Sequence, residues 1–208
     1  MRRVFPDPGD DDPFRRRLRP AQPDCERPHV RLNMIASIDR AGSLDRRSAG
    51  LGDPAGMVLF STLRSLADVI LVGAATLRTE RRGHALLDDT APDRRRQRPL
   101  ASAPAIAVVT RACRRDWGSP FVGEAEQRPI IIITAASAVT EDRARANQMA
   151  DLVIAGHDQI DLADAMRVLG GLGHDQGLAE GGPGVAAHLA SIDRIDELCF
   201  RFLGYRRR

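Results

Sequence analysis

The segment Ala179-Glu180-Gly181-Gly182-Pro183-Gly184-Val185-Ala186-Ala187 joins an apolar strand end to a glycine-rich turn and then to a helix start built of small residues. Glycine lets a backbone approach a phosphate closely, and the N–H groups and dipole at a helix start attract an anion. The segment has the outline of a pyrophosphate cradle, and equally that of an ordinary strand-to-helix turn that needs positive φ. It lacks the GxGxxG spacing of a Rossmann fingerprint. A second turn, Val72-Gly73-Ala74-Ala75-Thr76-Leu77-Arg78-Thr79-Glu80, follows another apolar run. It offers Thr76 and Glu80 to a ribose or phosphate; the plainer assignment is Thr76 as a helix cap and Glu80 as a solvated charge. Val109-Thr110-Arg111 ends a third run with a hydroxyl beside a guanidinium, which suits a phosphate monoester, although surface charge explains Arg111 equally well. Asn33-Met34-Ile35-Ala36-Ser37-Ile38-Asp39 alternates polar residues along a strand otherwise fit for burial, and polar groups there need partners.

The composition narrows the chemistry. All 31 basic residues are Arg, so a lysine general base or Schiff base is excluded and clamping by guanidinium is favoured. The charge of +3 is spread from Arg2 to Arg208 among 28 acids, and with 4% aromatic residues there is no stacking platform, which sets nucleic acid aside. Cys25, Cys113 and Cys199 are far apart without CxxC spacing, encoding neither a disulfide framework nor a zinc site and fitting a reducing cytoplasm. His29, His84, His157, His174 and His188 show no metal-ligand spacing, so no metal is expected. The longest apolar runs are too short to span a bilayer and no secretory leader opens the chain, which sets the membrane aside.

The elements that must position these residues follow from the punctuation. Residues 1–29 hold six Pro and a Gly-Asp-Asp-Asp run and read as a flexible arm; residues 30–208 form one domain, with 43% apolar residues in the whole chain. Val30 to Ile38 reads as a strand. Asp53-Pro54 is an N-cap with Pro at the first helical position, opening a helix over 54–67 with Val58, Leu59, Leu63 and Leu66 at helical spacing. Asp68 to Gly73, Pro104 to Thr110 and Pro129 to Thr134 are β-branched runs of the kind covered on both faces. Thr140 to Met149 reads as a helix, Leu152 to Ala155 as a strand, Leu162 to Leu169 as a helix capped by Asp161, and Gly177 to Ala179 as a short strand. The polar segments Arg81 to Ala103 and Arg111 to Arg128 read as surface loops. Such βαβ alternation predicts a mainly parallel sheet with helices on both faces and ligands at the carboxyl ends of the strands.

In combination, Asn33 to Asp39, Ser48-Ala49-Gly50, Leu63-Arg64, Ala67 to Thr76 and Glu180-Gly181-Gly182-Pro183 resemble the riboflavin-pathway pyrimidine reductases, the reductase half of the bifunctional deaminase-reductases. The resemblance covers about residues 28–200 and implies a dihydrofolate-reductase-like α/β fold. It implies reduction of a ribosylaminopyrimidine phosphate, with NADPH delivering hydride to C1′ of the open imine form of the sugar. By motif match, Ala36, Thr76, Glu80, Thr110, Arg111 and the turn Gly181, Gly182, Pro183, Gly184, Val185 and Ala186 would hold the cofactor. Ser48, Arg64 and Glu180 would face the substrate, with Glu180 and Asp39 as the candidate catalytic groups. Read from the residues alone, Arg64 is a charge on an otherwise apolar helix, either a clamp or part of a solvated face.

The sequence departs from the family pattern at several places. Arg40 stands where the family has Gly, Ala75 replaces the second Gly of a Gly-x-Gly-Thr turn, and Ala179 and Gly184 replace Thr. After Asp196 to Phe200, which begins the next strand, the Arg-rich end Arg201 to Arg208 replaces the family's Pro and Gly motif and last strands. The expectation is therefore a C-terminally truncated sheet, with homodimerisation dependent on a completed fold. The alternative functions are an inactive remnant of such a reductase and a nucleotide-binding regulatory module.

Overall fold

β-branched residues are stiff at χ1 and pack well on a pleated surface, and the runs richest in them form adjacent strands within the sheet. The computed structural model describes residues 27–37, 54–80, 95–96, 100–113 and 129–203. Among these residues seven strands, β1 (His29–Ser37), β2 (Val69–Gly73), β3 (Ala105–Val109), β4 (Ile130–Thr134), β5 (Asp151–Ile154), β6 (Gln176–Ala179) and β7 (Glu197–Leu203), form one sheet in the order β5-β4-β3-β2-β6-β1-β7. Every pairing is parallel, so the mainly parallel expectation holds in full. β2 to β6 lie within two residues of their readings from sequence, whereas β7, read as beginning over Asp196 to Phe200, extends to Leu203.

Among the described residues, five helices cover the sheet: α1 (Pro54–Leu66), α2 (Ala74–Glu80), α3 (Thr140–Met149), α4 (Leu162–Gly171) and α5 (Pro183–Ser191). Alternate strand residues point to opposite faces. Leu71, Ala107, Ile131 and Ile133 pack with Met166 and Leu169 of α4 and Leu189 of α5. Ile70, Val72, Val108 and Ile132 pack on the other face with Leu59 and Leu63 of α1 and Ala146 of α3. Burying each such side chain is worth about 1.5–3 kcal/mol, and strands covered on both faces collect that gain twice. Asp161 caps α4 as its position predicts, accepting from the backbone N–H of Ala163 at 2.9 Å and Asp164 at 3.1 Å.

The topology sets where a ligand can lie. From β2 the chain steps outward through β3, β4 and β5, then returns to place β6 between β2 and β1, and ends on β7 at the opposite edge. The loops leaving β2 and β6 therefore meet at the reversal of winding, where open α/β sheets bind ligands.

Some sequence readings are corrected. Ala74–Glu80 is a helix that follows β2 directly, so Thr76 is an internal helical residue and neither a turn residue nor a cap. Arg95 and Cys113, within segments read as surface loops, are fully buried. The Arg95 guanidinium finds backbone carbonyls at the end of α1, and the Cys113 thiol packs into the core cluster beneath α1 and α3. Residues 81–94, 97–99 and 114–128 of those segments, and Asp53, lie outside the described residues, as do residues 1–26 of the arm. Arg27 is tied to the sheet, its guanidinium donating to both Asp196 oxygens at 2.7 and 2.8 Å. Among the described residues, no helix is long and apolar enough to cross a membrane.

Candidate functional site

Helical side chains lean toward the N-terminus of their helix, so a long residue lies over the turn before it. Arg64, in the last turn of α1, follows this rule: its guanidinium carbon sits 3.9 Å from the centroid of the Phe60 ring, one turn back. That lean carries it along the helix toward the carboxyl end of β6. There its Nε donates to Oε1 of Glu180 at 2.6 Å and its Nη2 to Oε2 at 2.7 Å. The two side chains are 10% and 8% exposed, so this is a buried, bidentate, charge-assisted pair between residues 116 positions apart. Of the two readings open for Arg64, the solvated helix face is therefore excluded.

Glu180 leads into the glycine turn. Its N–H donates to Leu71 O at 3.0 Å, and Gly73 N–H donates to Gly181 O at 3.0 Å, locking the turn against the end of β2. Gly181 has φ +99°, the left-handed region that favours glycine, and a cis peptide bond joins it to Gly182. A Cβ on Gly182 would lie 2.6 Å from Thr76 Oγ1, so glycine is required for α2 to approach the turn. The start of α5 then has Gly182 at the cap position, Pro183 in the first turn and no side-chain cap among the described residues, leaving the helix start open to an anion.

Beyond the turn lies a shallow cavity of about 180 Å³, lined by Val109, Arg111, Gln159, Ile160, Leu162, Gly184, Val185 and His188. A Cβ at Gly184 would meet nothing within 4 Å and would only fill this cradle. Val185 Cγ2 also lies 3.4 Å from a Cβ position on Gly73, so α5 connects the cavity with the turn. Arg111 is exposed and also lines a neighbouring cavity of about 390 Å³ with Ala112, Ser137, Ala138, Val139 and Asp158.

The structure thus brings together two groups of the residues singled out from sequence. Arg64 pairs with Glu180; Thr76, Gly181, Gly182, Pro183, Gly184, Val185 and Arg111 follow as a continuous track to the cavity. Thr110, half-buried, donates its N–H to Ile133 O at 2.9 Å and does not line the cavity. Ala186 packs partly buried against the core, and Ala36 is buried in β1 opposite Phe202. Glu80 is in α2, its side chain outside the described residues, and Asp39 and Ser48 lie outside them altogether. Sequence reasoning missed Gln159 and His188, which carry no local signal, and the pairing of Arg64 with Glu180.

The all-parallel α/β sheet, with a buried ion pair, a glycine turn and an open helix start at its winding reversal, matches the dihydrofolate-reductase-like α/β fold that the sequence resemblance implies. The chain belongs to the family of RibD C-terminal domains, the pyrimidine-reductase family of riboflavin biosynthesis, whose family model matches residues 28–203. Solved structures share the fold. A pyrimidine reductase-like protein from Corynebacterium diphtheriae aligns with a TM-score of 0.76 at 23% identity, over 86% of this chain and 76% of that one. The riboflavin biosynthesis reductase Rib7 from Saccharomyces cerevisiae aligns at 0.67 and 18% identity, over 89% and 77%. RibD from Acinetobacter baumannii aligns at 0.68 and 15% identity, over 88% of this chain but 48% of its own. A comparison with curated proteins gives no match.

Proposed function

We propose that this chain is an NADPH-dependent reductase of a ribosylaminopyrimidine phosphate, of the 5-amino-6-(5-phosphoribosylamino)uracil type. RibD-type reductases use a nicotinamide cofactor. The observation that carries the reading is the buried Arg64–Glu180 pair held beside the Gly181–Gly182 turn. When bound, the cofactor supplies hydride.

The protein's part is orientation. The open start of α5 and the cradle at Gly184 fit a pyrophosphate-bearing dinucleotide, and Arg111 at the cavity rim fits a terminal phosphate monoester. The Arg64–Glu180 pair, its charges mutually neutralised, presents a fixed planar arrangement of guanidinium donors and carboxylate acceptors suited to a polar pyrimidine ring and its sugar. A preorganised pair of this kind pays no reorientation cost when substrate arrives. The reading carries with it a cytoplasmic location and, where the fold is completed, assembly as a homodimer, which sedimentation velocity tests.

The departures from the family pattern bear on affinity. Ala179 is fully buried and Gly184 has no side chain, so neither supplies the hydroxyl that Thr would. Fluorescence titration of the purified chain with NADPH, with NADH as control, tests the cofactor half of the reading. Saturable binding that prefers NADPH and raises the melting temperature is the expected result; a folded protein that binds neither removes the reading.

A further inference from the structure

A helix leaves its last carbonyls without intrahelical partners, and water or a left-handed glycine usually satisfies them. At the end of α1 the partner is instead a distant, fully buried arginine. Arg95 Nη1 donates to the carbonyl of Arg64 at 3.3 Å, to that of Ser65 at 3.4 Å and to that of Ala67, while its Nε donates to Ala101 O at 2.7 Å. Its Nη2 is buried with no hydrogen-bond partner among the described residues. Removing a guanidinium from water is costly, and a helix end alone does not require it.

What Arg95 grips is the backbone of the residue that holds Glu180. The other member of the pair is anchored nearby. Burial disfavours the charged form of Arg95, and the Asp68 carboxylate offsets this only in part through space; Asp68 accepts the backbone N–H of Asp175 at 3.0 Å and of Gln176 at 2.7 Å. Asp175 immediately precedes β6 and Gln176 opens it, and Glu180 follows four residues after Gln176, about 13 Å along the strand direction. The roots of both arms of the ion pair are therefore fixed at one place, at the amino ends of the strands. The side chains themselves meet near the carboxyl end of β6.

We propose that Arg95 is a positioning residue, which with Asp68 sets the register between α1 and β6 and so holds Arg64 in bidentate contact with Glu180. The structural part of this inference stands on the contacts alone. Its kinetic consequence rests on the reductase reading above.

The test uses the full chain with 15N-labelled arginine, following the Arg64 Nε–H resonance assigned by its loss in Arg64→Lys. In wild type this signal should show the downfield position and slow solvent exchange of a fixed ion pair. In Arg95→Met it should move toward the solvent position; Arg95→Lys, which keeps a charged donor, should restore part of the shift. Where Arg95→Met does not fold, Arg95→Lys and Asp68→Asn carry the test. An Arg64 signal unchanged in every folded variant overturns the proposal and leaves Arg95 a plain helix cap, lowering melting temperature only.

With turnover established in wild type, KM for the pyrimidine phosphate should rise at least about tenfold in the displaced variant, with NADPH affinity within about twofold of wild type. Equal loss of both argues for general loosening and against positioning. A wild type without turnover removes the reductase reading, and the resonance still decides the role of Arg95.

Discussion

The two ends of the candidate site are built differently. Around Arg64 and Glu180 the side chains are held by one another: the guanidinium lies on Phe60, both carboxylate oxygens accept from it, and the turn that follows is bonded to β2. Around Arg111 there is an open cavity, an exposed guanidinium and an uncapped helix start. The first end is organised before any ligand arrives, as expected where charge and geometry must be held for chemistry. The second has room and donors but few internal bonds, as expected where a large anionic ligand supplies its own contacts. Precision and accommodation are thus divided along a track only one turn and one helix long.

The division can be broken most severely at the committed end. Removing one partner of a buried pair strands the other charge, so Glu180→Ala or Arg64→Ala should cost about 3–5 kcal/mol of stability by chemical denaturation. Turnover of the pyrimidine phosphate should fall by about a hundredfold or more in whatever fraction remains folded.

A smaller effect is expected where the two ends join. Gly182→Ala would place a Cβ 2.6 Å from Thr76 Oγ1 and should cost about 1–3 kcal/mol, with weaker NADPH binding. Adding Thr76→Ala removes the clashing oxygen and should restore much of the melting temperature; a double variant no better than the single one would show that the turn itself cannot accept a Cβ.

At the open end the effects should fall on affinity alone. Arg111 is exposed, so Arg111→Ala should leave stability within about 0.5 kcal/mol. NADPH should bind about tenfold more weakly, with NADH unaffected, as calorimetric titration would show. Loss of both cofactors together would mean that Arg111 does not read the terminal phosphate.

The smallest effect lies away from the site, where the hydrogen bonds from Arg27 hold the Asp196 carboxyl below its ordinary value of 3.8. Because the folded value is depressed, the stability it contributes is complete above 3.8 and is lost as the pH falls through that value toward the folded one. Asp196→Asn should therefore flatten the acid limb of the stability profile, and an unchanged limb would assign acid sensitivity to other carboxylates.

How much of this could be read in advance depended on whether the signal was local. The run Ile130 to Thr134 and the cap at Asp161 declare their structure within a few residues, and both appear as expected. The glycine turn was also legible, because Gly181 and Gly182 meet a local need for positive φ and close approach. Arg64 and Glu180 were each singled out, yet their pairing was not, since nothing in the chain marks which of 31 arginines meets which acid. Arg95 was misread for the same reason. A run of arginines looks solvated from sequence, and only the packing of α1 against β2 shows which one is enclosed. Asp39 and Ser48 lie outside the described residues, so their assigned roles rest on the family motif.

The most direct test of the central claim is stopped-flow absorbance of NADPH on mixing with the ribosylaminopyrimidine phosphate. The account predicts oxidation that depends on the pyrimidine, is slower with NADH and is lost in Arg64→Ala. A folded wild-type chain that binds the cofactor but shows no pyrimidine-dependent oxidation would contradict it.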